Sequence, residues 1–171
     1  LSGISKKTIS RNQSFRNKKN KHINIISRKG REIIFFENLE FSRVLMAWNI
    51  PGLDDQKKII GFEVLSSILS VGRNSKLVKV LKEEKNLVES IYVDVNGGEL
   101  GSLLIIEACC ENKNLDLVEN QINEIICEII SHKNLTPEEL KKAINIVRSN
   151  YIFNLETPSQ ISSFLGNELL W

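Results

Sequence analysis

Residues 88–110, VESIYVDVNGGELGSLLIIEACC, constrain the fold of this chain more than any other stretch. Ile91, Val93 and Val95 alternate with Ser90, Tyr92 and Asp94, the two-residue period of a strand with one apolar face. Asn96-Gly97-Gly98 then supplies residues that tolerate positive φ, as a tight hairpin requires. The second arm, residues 102–110, is apolar almost without interruption and reads as a strand buried on both faces. A chain built around such a hairpin is expected to form an antiparallel sheet.

The flanking segments say what covers it. Upstream, short apolar runs at 23–26, 33–36 and 43–48 read as further strands, the first two joined through Gly30. The last runs into the breakers of NIPGLDD. From 55 to 71 the period changes: Ile60, Val64, Ile68 and Val71, beside Leu65 and Leu69, make a helical stripe. Asp54 or Asp55 is placed to cap it and Gly72 to end it. A second helix is expected from about Ser75 to Lys85, with Leu77, Val80 and Leu81 on one side. After the hairpin, Leu115, Val118, Ile122, Ile125 and Ile129 step at helical spacing behind Asn114. TPEEL starts the next helix: Thr136 caps, Pro137 fits the first helical position and Glu139 completes a capping box. Thr157, Pro158 and Gln160 repeat the device. Strands, helices, hairpin and helices in this order predict an α+β fold, an antiparallel sheet with helices packed on one face.

Charge is unevenly spread. The net of +2 hides ten Lys or Arg and no acid in residues 1–31, leaving a remainder with a net of −8. Residues 1–21 read as a basic, flexible linker, and 22–171 as the α+β domain. The arm has one aromatic and no stacking pattern, so nucleic-acid binding through residues 6–31 is the lesser alternative and no nucleic-acid partner is expected. No apolar run approaches the roughly 20 residues that span a bilayer. No membrane partner and no signal peptide are therefore expected within these residues. The chain lacks an initiating Met and stops within a periodic pattern, so a domain truncated at both ends is expected. Cys109, Cys110 and Cys127 lack metal-site spacing and read as small buried hydrophobes, favouring a reducing, cytoplasmic compartment.

The catalytic inventory is short. His22 lies in the arm and His132 at a helix end, where a helix dipole accounts for it. Neither belongs to an H-E-x-x-H or H-x-x-E-H arrangement, so no zinc is held by paired histidines one turn apart. No G-x-S-x-G elbow, P-loop or G-x-G-x-x-G is present. Glu83 and Glu84 beside Lys82 and Lys85 read as ordinary surface pairing. The residues alone describe a non-catalytic α+β domain with no metal site and no cofactor of its own.

The order of features nevertheless resembles a known family. AWNIPG after a strand, a helix, GRNSKLVKVLKEEKNLV, a hairpin and TPEELKKAINIVRSNYIFNLET are similar to the pitrilysin/insulinase zinc metallopeptidases, the inverzincins. The likeness is to the non-catalytic domain that follows the zinc-binding one, and runs from about residue 23 to the end. It rests on Trp48 and Pro51, on Gly72, Ser75 and Leu77, on Leu81 and Glu83, on Glu139-Leu140 with Ala143, and on Glu156-Thr157. The resemblance implies a parent acting on peptides or unfolded proteins, with two halves closing on the substrate as a chamber. Zinc would lie in the parent or its partner, held by an H-x-x-E-H motif outside this chain.

In such proteins a competent partner half carries an Arg, then a Tyr seven residues later, that hold substrate near the zinc. The matching positions here are Lys82 and Glu89. Lysine keeps the charge but loses the planar fork, and a carboxylate repels a developing oxyanion. The chain is therefore expected to help form the peptide-enclosing chamber without being catalytic itself, beside a second homologous half or subunit. A degenerate zinc-free partner subunit or a pure interaction module is the alternative.

Overall fold

The computed structural model describes residues 29–37, 39–98, 101–131 and 135–170. The basic linker, the strand expected at 23–26, His22 and His132 lie outside the described residues. Strand β1, Ser42–Ile50, alternates partly buried and exposed residues along its length and ends at Pro51, which has no N–H to continue a ladder. Helix α1, Gln56–Ser70, starts where the Asp55 carboxylate accepts the Lys58 N–H at 3.3 Å. It stops before Gly72, whose φ of 89° favours a residue without Cβ. A wide-turned helical segment, Val78–Glu84, leads to β2, Ser90–Asn96, and β3, Ser102–Cys110. Helices α2, Leu115–Ile130, α3, Pro137–Phe153, and α4, Pro158–Leu170, follow.

The strands form an antiparallel sheet in the order β1-β3-β2. Its register stacks Met46, Ile106 and Val93 in one row, with Val44, Ala108 and Ile91 beside it and Trp48, Leu104 and Val95 on the other flank. Leu69 of α1, Leu77 and Leu81 of the wide-turned segment, and Val118 and Ile122 of α2 close this face almost completely. Helix α1 lies against β2 and α3, and α2 against β1 and β3. The Ser70 hydroxyl at the end of α1 accepts the Val93 N–H at 3.2 Å, covering one donor on the outer edge of β2. The architecture is the expected α+β sheet with its helices on one face.

Both capping boxes form. Thr136 Oγ1 accepts the Glu139 N–H at 3.2 Å and Glu139 Oε2 accepts the Thr136 N–H at 2.9 Å. Thr157 and Gln160 repeat the exchange at 3.3 and 3.1 Å. Each satisfies donors that a helix start leaves without intrahelical partners.

Several expectations are corrected. The run at 33–36 is not a strand: it is irregular and exposed, because no sheet edge among the described residues accepts it. Strand β3 is hydrogen-bonded on both sides but buried on one face only, so its unbroken apolarity marks a central strand rather than a doubly covered one. Gly97 and Gly98 do not take positive φ, which falls instead at Gly72 and Asn86. Their need is steric. A Cβ at Gly97 would sit 2.9 Å from the Leu53 side chain, and one at Gly98 would sit 2.6 Å from the Gly101 carbonyl. The stripe on α1 is rotated: Ile59 and Ser67 are buried, whereas Ile60 and Val71 are exposed. Cys127 is exposed, while Cys110 is buried as expected.

Candidate functional site

The expected helix from Ser75 to Lys85 is wider than an α-helix. Over Val78–Glu84 it takes π geometry, a form that gathers at functional sites. The Lys85 N–H closes on the Val80 carbonyl at 3.0 Å, and the Leu87 N–H on the Leu81 carbonyl at 2.7 Å. Between them Asn86, at φ 48°, makes a left-handed exit of the kind that ends many α-helices, which asparagine tolerates. Leu77, Leu81 and Val88 pin the two ends of this turn in the core. At its start the Ser75 hydroxyl donates to the Gly72 carbonyl at 2.7 Å.

This turn brings Lys82 and Glu89 together in an unexpected way. The Lys82 ammonium donates to the backbone carbonyl of Glu89 at 2.6 Å, and the Glu89 N–H donates to the Cys109 carbonyl at 2.8 Å. Lys82 thus straps the wide turn to the start of β2. The Glu89 carboxylate is exposed and has no ion-pair partner among the described residues. The neighbouring acids do not pair with Lys82 or Lys85: Glu83 meets Arg73 at 3.2 Å and Glu84 meets Lys79 at 3.8 Å. Lys85 instead reaches Gln121 of α2.

Beside this strap lies the uncovered face of the sheet. Leu45, Glu107 and Tyr92 form one cross-strand row, and Ala47, Ile105 and Asp94 the next. Leu45 and Tyr92 are 68% and 64% exposed, values that set them apart from the closed face behind. The Arg43 guanidinium bridges diagonally to Glu107 at 2.7 Å. Cys109 opens onto this face, whereas Cys110 points into the core, where burial pushes its thiol pKa up. Its thiolate is therefore disfavoured, and the group packs as a small hydrophobe.

Among the described residues no three His, Cys, Asp or Glu side chains gather as a metal-ligand set, so they supply no zinc site. No helix among them is long and apolar enough to cross a membrane. Reading the sequence alone missed the pairing of Glu63 with Tyr151, whose hydroxyl donates to the carboxylate at 3.0 Å across 88 residues. The available signal was an acid placed among the apolar positions of α1.

A helix-backed antiparallel sheet whose described residues hold no metal-ligand set is the framework of a non-catalytic α+β domain. The sequence pattern of the Peptidase M16 inactive domain matches residues 3–147, and the chain belongs to that family. It is 23% identical to mitochondrial-processing peptidase subunit alpha-2 of Dictyostelium discoideum, over 85% of this chain and 35% of that protein. A protease from Helicobacter pylori superposes with a TM-score of 0.65 at 20% identity, covering 78% of this chain and 32% of the other. A peptidase M16 inactive domain from Pseudomonas fluorescens gives 0.64 at 15% identity, over 73% and 29%. A conserved protein from Enterococcus faecalis V583 gives 0.67 at 19%, over 78% and 31%. The chain thus spans about a third of the length of these relatives. The resemblance to the pitrilysin/insulinase peptidases holds at the level of family and fold.

Proposed function

We propose that this domain forms a non-catalytic wall of a peptide-enclosing chamber, set against a second half or subunit that carries zinc. The observation that carries this reading is the uncovered sheet face. One side of the sheet is sealed by α1 and α2, while Leu45, Tyr92 and Leu103 stand exposed on the other. An exposed face mixing apolar side chains with Glu107 and Asp94 suits contact with an extended or unfolded chain. Membership of an inactive-domain family supports a role beside a catalytic partner. The Dictyostelium relative is, by its name, one subunit of a peptidase.

The strap supports a wall rather than a clamp on the reacting group. Lys82 is engaged by backbone and offers no bidentate fork, and Glu89 presents an anion where a neutral donor would be needed. Arg31, the last residue of the basic run, is held by Asp116 at 2.7 Å and Glu119 at 3.0 Å. That contact favours the chamber reading over nucleic-acid binding. The free thiols fit a reducing compartment.

The test places a photoreactive benzoylphenylalanine at Tyr92, or at exposed Ile130 on α2, in the full-length protein with a labelled unstructured peptide. The expected result is crosslinking from position 92 and none from 130. Equal labelling from both, or from neither, would sink the chamber reading. Zinc analysis of the same protein then separates its two forms. About one metal per chain would make this the second domain of an active subunit, and none would make it a zinc-free partner.

A further inference from the structure

The helical layer holds a second candidate that owes nothing to the chamber reading. Helix α1, helix α3 and the tip of the β2–β3 hairpin bound a cavity of about 600 Å³, within the size range of small-molecule sites. Its walls are largely aliphatic, with Leu53 and Ile59 on one side and Ile146 and Val147 on the other. Into it project groups from facing ridges of the two helices, since Glu63 and Ser67 are one turn apart on α1 and Tyr151 lies on α3.

These polar groups are unevenly satisfied. The Tyr151 hydroxyl donates to Glu63 Oε2 at 3.0 Å and lies 3.3 Å from Oε1. No Lys or Arg among the described residues comes within ion-pair distance of the Glu63 carboxylate, which is half-buried. Ser67 is 5% exposed, and its hydroxyl oxygen is buried with no hydrogen-bond partner. A carboxylate partly withdrawn from water calls for a countercharge, and a buried hydroxyl calls for a partner. One occupant meets both needs. An ammonium group has three donors and no acceptor, and an aliphatic stem behind it would meet the apolar walls.

We propose that the α1–α3 cavity binds a primary ammonium group on an aliphatic stem, with the charge on Glu63, a hydrogen bond to Ser67 and the stem against Ile146 and Val147. Tyr151 is a positioning residue that holds the carboxylate toward the cavity. A free alkylamine and a polypeptide lysine side chain share this chemistry.

The test is an NMR titration of the isotope-labelled chain with n-butylammonium chloride, repeated with 1-butanol and with sodium butyrate. Butylammonium is expected to give saturable shifts at the amides of Glu63, Ser67 and Tyr151. The neutral alcohol should bind about tenfold more weakly, as expected when a charge-assisted bond is lost, and butyrate not at all. Glu63→Gln should reduce butylammonium to the level of the alcohol. Nα-acetyl-lysine methylamide then identifies the source: binding comparable to butylammonium points to a lysine side chain, and exclusion points to a free amine. Equal binding of alcohol and ammonium, unsaturable shifts spread over the acidic surface, or no shifts would overturn the proposal. The charge series on the unmodified chain decides the matter even if Glu63→Gln does not fold.

Discussion

Ile105 and Ile106 are the same residue one peptide bond apart, yet they face different surroundings. Ile106 is completely buried beneath the helices, while Ile105 lies on the uncovered face between Ala47 and Asp94. The difference arises from strand geometry, which sends successive side chains to opposite faces. It also divides labour: one face holds the domain together and the other is available for contact. Apolar composition alone does not separate these roles, since β3 is apolar at both kinds of position.

The largest effect should come from breaking the closed face. Ile106→Ala leaves a cavity at the centre of the core and is expected to cost about 4 kcal/mol, whereas Ile105→Ala should cost about 1 kcal/mol. Denaturant unfolding of the two variants makes the comparison directly. Equal losses would mean that the second face is covered in solution.

A smaller effect distinguishes the helical side by pH. Glu139 is held below its ordinary carboxyl pKa of 4.5 first by the hydrogen bond from Lys76, then by the Thr136 N–H. A group with a depressed folded pKa contributes stability that is present above its unfolded value and lost as pH falls through the folded one. Thr136→Ala should cost about 1 kcal/mol at neutral pH through the lost cap. Glu139→Gln should lower the melting temperature near neutrality, and its deficit should shrink as pH drops below 4.5. A deficit unchanged by acid would show that the charge of Glu139 contributes nothing.

The smallest effects belong to the open face and its strap. Leu45→Ser is expected to change stability by no more than about 0.5 kcal/mol, while weakening peptide crosslinking from position 92. Lys82→Met removes one exposed hydrogen bond to the Glu89 carbonyl and should cost about 1 kcal/mol or less. In a zinc-bearing full-length assembly it should leave peptide cleavage unchanged. A large loss of cleavage would instead make Lys82 a substrate contact.

Much of the fold was legible because its signals are local. Thr136 and Glu139 lie three residues apart, so both halves of the capping box can be read from sequence. The alternation in β1 and β2 likewise marks a half-buried sheet. Features requiring distant partners were harder to read. Ile33 to Phe36 are apolar enough for a strand, but a strand also needs an edge to join. Gly97 is constrained by Leu53, 44 positions earlier in numbering, rather than by its own φ. The site followed the same rule. The positions of Lys82 and Glu89 were legible, but their bond needed an extra-wide turn, and Glu63 with Tyr151 needed two helices to meet.

That wide turn has a consequence for how the chain tolerates changes in length. A π segment accommodates more residues per turn than the α-helix, so Val78–Glu84 carries slack that an ordinary helix lacks. Removing one residue there would not have to sever the element. It would re-phase it, turning everything downstream by about 100° relative to Leu77. The Lys82 ammonium would swing away from the start of β2, and Leu81 would leave its place in the core. The segment is thus a phase adjuster, where a one-residue difference in length becomes a difference in the direction the site faces.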